Sequence, residues 1–322
     1  MSSGIHHVTA IAGDPQRNLD FYARTLGLRL VKLTVNFDDP GTYHFYFGDE
    51  LGRPGSVLTF FPWPDGARGR QGTGQVGTVS LAVPSTSVGY WIERLLSMGI
   101  RYERQRRFDE TVLAFADPDG LLLELVATTR VEAVTPWRDG PVAAEHAVRA
   151  VYGVTIWEDG ERGTAEFLGA HLGYRPVAEE GNHVRLESDS QGIGTVVDLR
   201  RVPGFWSGAS GVGVVHHVAF RVESAAAQLT RRARLHEAGV DVTPVIDRRY
   251  FHSVYFHEPG GVLFELATEL PGFTLDETAE GLGTELRLPP RLETMRAGIE
   301  RTLPPVRLPH EAMHGWPAGE ES

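Results

Sequence analysis

Two segments of the chain carry the same pattern: VLAFADPDGLLLEL at residues 112–125 and SVYFHEPGGVLFEL at residues 253–266. Each reads as an apolar strand, a tight turn containing proline and glycine, and a second apolar strand that ends in Glu-Leu. The two copies lie 141 residues apart without a gap. A weaker repeat, in which Val8-Thr9 returns as Val154-Thr155, has an offset of 146 residues. The chain is therefore expected to consist of two related halves.

Each half divides again into two modules that share one order of elements. An apolar strand opens each module, at residues 5–11, 77–83, 151–157 and 215–222. A helix that stops at a glycine follows each of these strands, and three further strands complete the module. The predicted fold is therefore α+β, with four βαβββ modules paired into two open, barrel-like cups.

The repeats also predict where the units begin and end. The first half covers residues 1–140, with modules at about 4–70 and 75–130. The second half covers residues 148–270, with modules at about 148–205 and 213–270. Residues 271–322 contain seven prolines and one predicted helix near 291–301. We expect this last segment to be an arm packed over the body, with a partly disordered tail as the alternative.

Composition limits the possible functions of the chain. Its 322 residues include 31 Lys and Arg against 42 Asp and Glu, a net charge of −11, which argues against a nucleic-acid partner. No apolar run approaches the roughly 20 residues of a membrane span, and the first residues, MSSGIHHVTA, do not resemble a signal peptide. We therefore expect a cytoplasmic protein. Because the chain has no cysteine, any metal site must use His, Asp and Glu.

Two His-His pairs stand at the start of predicted strands, His6-His7 in module one and His216-His217 in module four. Successive side chains of a strand point to opposite faces, so one His of each pair faces a given cup. Glu265 ends module four on an apolar strand, where an unpaired carboxylate is costly. Two imidazoles and one carboxylate form the set typical of non-haem Fe(II), and the same set also binds Mn, Zn or Ni. The alternative for any single His is a hydrogen-bonded core residue.

The other two modules lack this set. In the repeat register Thr78 corresponds to His217 and Gly153 to His7, so neither module offers an imidazole there. A complete site needs module one beside module four. We therefore predict that modules one and four share the metal cup and modules two and three share another, in which Glu124 is structural or solvent-facing.

A family resemblance rests on four stretches of sequence: Gly4–Thr9, Val215–Phe220, Asp247–Phe256 and Val262–Thr268. Together with the four modules, they resemble the vicinal oxygen chelate superfamily, also called the glyoxalase/bleomycin-resistance superfamily. Within it the chain looks most like the ring-cleaving dioxygenases that open hydroquinones. The likeness covers about residues 4–270.

The resemblance implies a metal centre and a set of residues around it. His7, His217 and Glu265 would hold Fe(II), with Mn(II) or another divalent metal as the alternative. The expected surrounding residues are Thr9, His6, His216, Arg248 and Tyr255. Four other histidines and those of the tail are expected to be surface or packing residues; the four are His44, His183, His252 and His257.

Chemical roles for the surrounding residues follow from their side chains. The hydroxyl of Tyr255 could hydrogen-bond a ring hydroxyl or hold a proton, and Arg248 offers donors to a phenolate. His6 and His216 are acid–base candidates, because imidazole titrates near neutral pH. The structural alternatives are a core aromatic for Tyr255 and a surface ion pair near Asp247 for Arg248. Phe251 and Trp206 are candidates for contact with an aromatic ring.

These features predict a metal-dependent ring-cleaving dioxygenase that inserts O2 into a hydroquinone-type aromatic diol. Its partners would be a small aromatic substrate and O2, and a homo-oligomer is possible. The alternatives are extradiol cleavage of a catechol, a glyoxalase-type isomerase or lyase, and a non-enzymatic small-molecule-binding protein of the bleomycin-resistance kind.

Overall fold

Two sheets of eight strands each make up the computed structural model, which describes residues 4–131, 134–160, 162–189 and 193–310. Every module contributes an opening strand, a helix and three further strands. The predicted α+β class and the βαβββ order are therefore confirmed.

The first sheet has the strand order β14-β15-β16-β13-β1-β4-β3-β2 and curls into a cup. Module one supplies β1 (Ile5–Ala12), α1 (Pro15–Leu19), β2 (Arg29–Val35), β3 (Tyr43–Gly48) and β4 (Val57–Pro62). Module four supplies β13 (Val215–Val222), α4 (Ala225–Glu237), β14 (Ile246–Asp247), β15 (His252–His257) and β16 (Leu263–Thr268).

The second sheet has the order β10-β11-β12-β9-β5-β8-β7-β6. Module two supplies β5 (Gln75–Pro84), α2 (Val88–Ser97), β6 (Tyr102–Arg107), β7 (Glu110–Ala116) and β8 (Leu122–Thr128). Module three supplies β9 (Ala150–Glu158), α3 (Arg162–Phe167), β10 (Tyr174–Glu180), β11 (His183–Ser188) and β12 (Val196–Arg201).

The helix of module one shows how the sequence fixes an element. The carboxylate of Asp14 accepts a hydrogen bond of 2.7 Å from the backbone N–H of Arg17, and Pro15 occupies the first turn, where its missing N–H costs nothing. After Leu19 the helix continues as a π-helical segment over Asp20–Thr25. Gly27 then turns the chain with a φ of +68°, a conformation that other residues rarely adopt.

The opening strand of the chain lies inside the first sheet, between modules one and four. β1 is parallel to β4 and antiparallel to β13, with Thr9 opposite both Thr59 and His217. β16 is parallel to β13 on its other side, with Glu265 beside Ala219. Residues about 210 to 260 positions apart in sequence thus share one face of a sheet.

The C-terminal segment packs against module one up to residue 310. Leu286 forms a β-bridge with Leu33, and α5 (Pro290–Glu293) and α6 (Arg296–Thr302) stand where one helix was predicted. The buried ammonium of Lys32 binds the segment through Asp276 and Glu277. The described part of this segment therefore lies against module one, while residues 311–322 lie outside the described part of the chain. None of the described helices is long and apolar enough to cross a bilayer.

Candidate metal centre

The three side chains predicted as metal ligands meet on adjacent strands. His7 lies on β1, His217 on β13 and Glu265 on β16, and all three are buried. Nε2 of His217 lies 2.9 Å from Oε2 of Glu265 and 3.4 Å from Nε2 of His7. Nε2 of His7 lies 3.4 Å from the same carboxylate oxygen.

This group has the geometry and chemistry of a divalent-metal site. Ligands about 2.1 Å from an ion lie about 3.0 Å apart in an octahedral site and about 3.4 Å apart in a tetrahedral one, which matches the three distances. Oε2 of Glu265 is buried and lacks a well-formed hydrogen bond. Although burial opposes ionisation, the neighbouring imidazoles hold the pKa of Glu265 well below its usual value. A buried carboxylate oxygen facing two imidazole nitrogens is a donor set that a divalent cation fits.

Ser253, on the neighbouring strand β15, holds the other oxygen of Glu265. Its hydroxyl donates to Oε1, and both residues are fully buried. The carboxylate is thereby fixed in one orientation, with Oε2 directed at the two imidazoles. No role was expected for Ser253 from the sequence, although Tyr255 lies opposite Glu265 in the β15–β16 hairpin and Ser253 lies two residues along the same strand, on the same face.

His6 lies behind His7 and does not line the cavity next to the triad. Its Nδ1 lies 2.9 Å from Nδ1 of His7, and it makes a hydrogen bond with the backbone of Thr268. Burial, together with His7, lowers the pKa of His6 well below the ordinary value, so its imidazole is neutral. A proton on the side of Thr268 leaves Nδ1 of His6 to accept from His7, and Nε2 of His7 keeps its lone pair for an ion.

His216 repeats this arrangement on β13, with its Nδ1 2.8 Å from Nδ1 of His217. It differs from His6 because it also lines the cavity. Burial, followed by His217, lowers the pKa of His216 to about 3. Each of the two candidate histidine ligands is therefore backed by the histidine that precedes it, and the positions favour orientation of these ligands over proton transfer by His6.

Arg248 and Tyr255 face the same cavity and contact each other. Nε of Arg248 lies 3.3 Å from the hydroxyl of Tyr255, and its Nη1 lies 2.7 Å from Oδ2 of Asp38. The ring of Tyr255 lies edge-on to that of His217, with 5.6 Å between the ring centres. The ion pair expected near Asp247 is thus made with Asp38, at the rim of the cavity, and Tyr255 is a lining residue.

Comparison with known proteins shows two matches to one family model, the Glyoxalase/Bleomycin resistance protein/Dioxygenase superfamily, at residues 4–125 and 129–266. The chain belongs to this superfamily. The resemblance predicted from the sequence is therefore confirmed.

Two curated relatives and one solved structure of the superfamily cover almost the whole chain. The protein named "Putative ring-cleaving dioxygenase MhqO" of Bacillus subtilis (strain 168) is 46% identical over 305 residues, 95% of this chain and 97% of the relative. The "Chlorohydroquinone/hydroquinone 1,2-dioxygenase" of Sphingobium indicum is 34% identical over 311 residues, 93% of this chain and 95% of the relative. A crystal structure of a "putative dioxygenase" from Bacillus subtilis superposes with a TM-score of 0.92 at 45% identity, covering 95% and 98% of the two chains.

His44 lines the cavity of this superfamily member, which corrects the expectation that it is a surface or packing residue. Its Nε2 lies 2.9 Å from Oγ1 of Thr59, and its Nδ1 lies 2.9 Å from the hydroxyl of Tyr46. Thr59 in turn donates to Oγ1 of Thr9, at 2.9 Å. These four side chains form one hydrogen-bond chain along the cavity wall. His44 and Tyr46 are alternate residues of β3, so the strand pattern directs both side chains to one face. Extending the register of module one to β3 and β4 would have indicated that this is the inward face.

The cavity has a volume of about 290 Å³, and aromatic side chains form much of its wall. Phe251 lies on it, as predicted, and its ring centre is 5.1 Å from that of His7. Phe61 and Trp63 also line it, although the sequence analysis did not single them out. The expectation for Trp206 is wrong, because this residue is 58% exposed and lies outside the cavity lining.

Proposed function

We propose that this protein is a metal-dependent ring-cleaving dioxygenase that inserts O2 into a hydroquinone-type aromatic diol. The observation that carries the proposal is the triad of His7, His217 and Glu265 beside an aromatic-walled cavity with Arg248 and Tyr255. The names of the relatives support the reaction class, and that of the Sphingobium enzyme supports the substrate class.

We propose Fe(II) as the resident ion. Two imidazoles and one carboxylate on one side are typical of non-haem Fe(II) sites, and such an ion supplies free coordination positions together with electron transfer between an aromatic substrate and O2. The contribution of the chain is to hold His7 and His217 in the required tautomer through His6 and His216. Manganese remains the alternative ion.

Tyr255 and Arg248 are proposed to bind the substrate. The hydroxyl of Tyr255, the guanidinium of Arg248 and the ring of Phe251 all line the cavity in which a diol would bind. The guanidinium stabilises negative charge on a ring oxygen, and the tyrosine hydroxyl supplies a hydrogen bond to it. Burial raises the pKa of Tyr255, so this hydroxyl keeps its proton and acts as a donor. The aromatic wall excludes water from the ring.

The reaction class is tested with an oxygen electrode and protein reconstituted with Fe(II). We expect oxygen uptake with substituted hydroquinones and none with catechols, matched by the loss of the aromatic absorbance. Uptake with catechols alone would favour extradiol cleavage. No uptake with either class would contradict the dioxygenase proposal and favour an isomerase or a binding protein.

The site is tested with His217→Ala, and His236→Ala is the matched control because His236 is an exposed residue of α4. Loss of one of three ligands is expected to weaken metal binding by more than about 100-fold, a larger effect than the loss of a supporting residue. Metal content after dialysis and oxygen uptake are measured together. A folded His217→Ala protein with one bound metal per chain and full activity would refute the assignment.

The cytoplasmic location and the homo-oligomer stay predictions.

A further inference from the structure

The second sheet forms a cup whose inner face corresponds to that of the first. Thr155 lies opposite Asp198 in the second sheet, just as Thr9 lies opposite Thr59 in the first sheet. Two residues further along these strands, Arg200 therefore takes the place of Phe61. By the same register His183, the cross-strand neighbour of Arg200, takes the place of His44.

A guanidinium fills the position that corresponds to the metal centre. Glu124 is the counterpart of Glu265, and it is buried rather than solvent-facing. Arg107 donates two hydrogen bonds to its carboxylate, at 2.9 and 2.6 Å. Arg107 is the counterpart of Arg248 at the offset of 141 residues, and Ala114 replaces Tyr255. The charge of Glu124 is thus already balanced, so this cup is not a second metal site.

Arg200 is a cation of this cup without an acidic partner among the described residues. Its guanidinium lies over the ring of Trp157, with 4.7 Å between the guanidinium carbon and the ring centre. Nε of Arg200 and Nδ1 of His183 are both buried and make no hydrogen bond within the described structure. Buried polar nitrogens are seldom left without a partner, so these two point to an acceptor that the chain does not supply.

The other charges of the cup do not supply this acceptor. Arg185 binds Asp198 through two hydrogen bonds, at 2.8 and 2.9 Å. Glu103 lines the cavity but is exposed, so water and salt screen its carboxylate. Burial, followed by Arg107, lowers the pKa of His183, so its imidazole is neutral and can donate one N–H without adding charge. One unpaired positive charge remains, on Arg200.

We propose that the second cup binds a small aromatic carboxylate, held by Arg200 and His183. A guanidinium presents parallel N–H donors that match a carboxylate, and a neutral imidazole adds a third donor. The cavity has a volume of about 370 Å³, enough for a single-ring acid. Ala114, Ala116 and Leu122 give it an apolar wall for the ring. This site is separate from the metal cup, and its existence does not depend on the proposed function.

The binding is measured by fluorine NMR, with 4-fluorobenzoate as the probe and the full-length protein. We expect saturable binding to the wild type and a Kd at least about tenfold higher in Arg200→Gln, because charge-assisted hydrogen bonds are lost. Arg201→Gln is the matched control. Arg201 is the next residue of β12, points to the opposite face and pairs with Glu179, so its replacement should leave the Kd within about twofold.

A second measurement uses the wild type alone, so it does not depend on the folding of a variant. The uncharged analogue 4-fluorobenzamide should bind at least about tenfold more weakly than 4-fluorobenzoate, since it lacks the negative charge. Binding of 4-fluorobenzoate that persists unchanged in folded Arg200→Gln would belong to another site and would overturn the proposal. Absence of binding to the wild type, or equal weakening by both arginine substitutions, would overturn it as well.

Discussion

Ser253 fixes one oxygen of Glu265 and leaves the other for a metal ion, so the Ser253→Ala substitution tests the metal centre without removing a ligand. Both residues are fully buried, so solvent water does not replace the hydroxyl that the substitution removes. The hydrogen bond has a charged acceptor, for which the loss is about 1.5–3 kcal/mol. That range corresponds to a roughly 10- to 100-fold weaker metal affinity, the usual effect of removing a residue that orients a ligand.

The affinity is measured by competition with a chromophoric chelator, using Mn(II) to avoid oxidation. Ser80→Ala is the matched control, because Ser80 donates a 2.8 Å hydrogen bond to the buried carboxylate of Glu124 in the second cup. This control should lower stability by a similar amount and leave the metal affinity unchanged. A Ser253→Ala protein with wild-type affinity would refute the reasoning, and so would an equal loss of affinity in Ser80→Ala.

Two further predictions concern stability. Lys32→Met removes a fully buried ammonium from Glu277 and should lower the free energy of unfolding by about 3–5 kcal/mol. The same substitution should cost less in a protein that already carries Glu277→Gln, because no buried charge is then left unpaired. Urea unfolding of both single variants and the double variant measures this coupling, and additive losses would contradict it. Burial raises the pKa of Asp117 from its ordinary value to about 6, so the folded state holds a proton that the unfolded state releases above about pH 4. The free energy of unfolding of the wild type, relative to Asp117→Asn, should therefore fall by up to about 3 kcal/mol between about pH 4 and pH 7 and then stay constant; a pH-independent difference would contradict this.

The repeats and the alternation of the strands predicted the fold and the meeting of module one with module four, and the family resemblance indicated which histidine of each pair would join Glu265. His7 and Glu265 are 258 positions apart, but each is placed by a local rule, because a strand directs every second side chain to the same face. The repeat then indicated that module four, and not module two, carries the second imidazole. No loop geometry entered the argument, which is why it succeeded over such a distance.

Contacts that depend on loops and side-chain reach could not be predicted in this way. Asp38 binds Arg248 from a loop between β2 and β3, and nothing in the pattern of module four indicates that partner. Lys32 sits on an apolar strand, and its partners come from the irregular C-terminal arm. His44 was missed for a different reason, since a single histidine on a strand resembles a core residue until its neighbours Thr59 and Tyr46 are placed beside it.

The two cups show how one backbone supports two kinds of chemistry through few substitutions. Both keep a buried glutamate at the same position of the sheet, and both keep an arginine at the offset of 141 residues from its counterpart. In the first cup the hydroxyl of Tyr255 meets Arg248, whose guanidinium also bonds to Asp38 at the rim. In the second cup Ala114 offers no such partner, and Arg107 extends to the glutamate instead. Where this position holds tyrosine, the carboxylate is left for a metal ion. Where it holds alanine, an arginine neutralises the carboxylate.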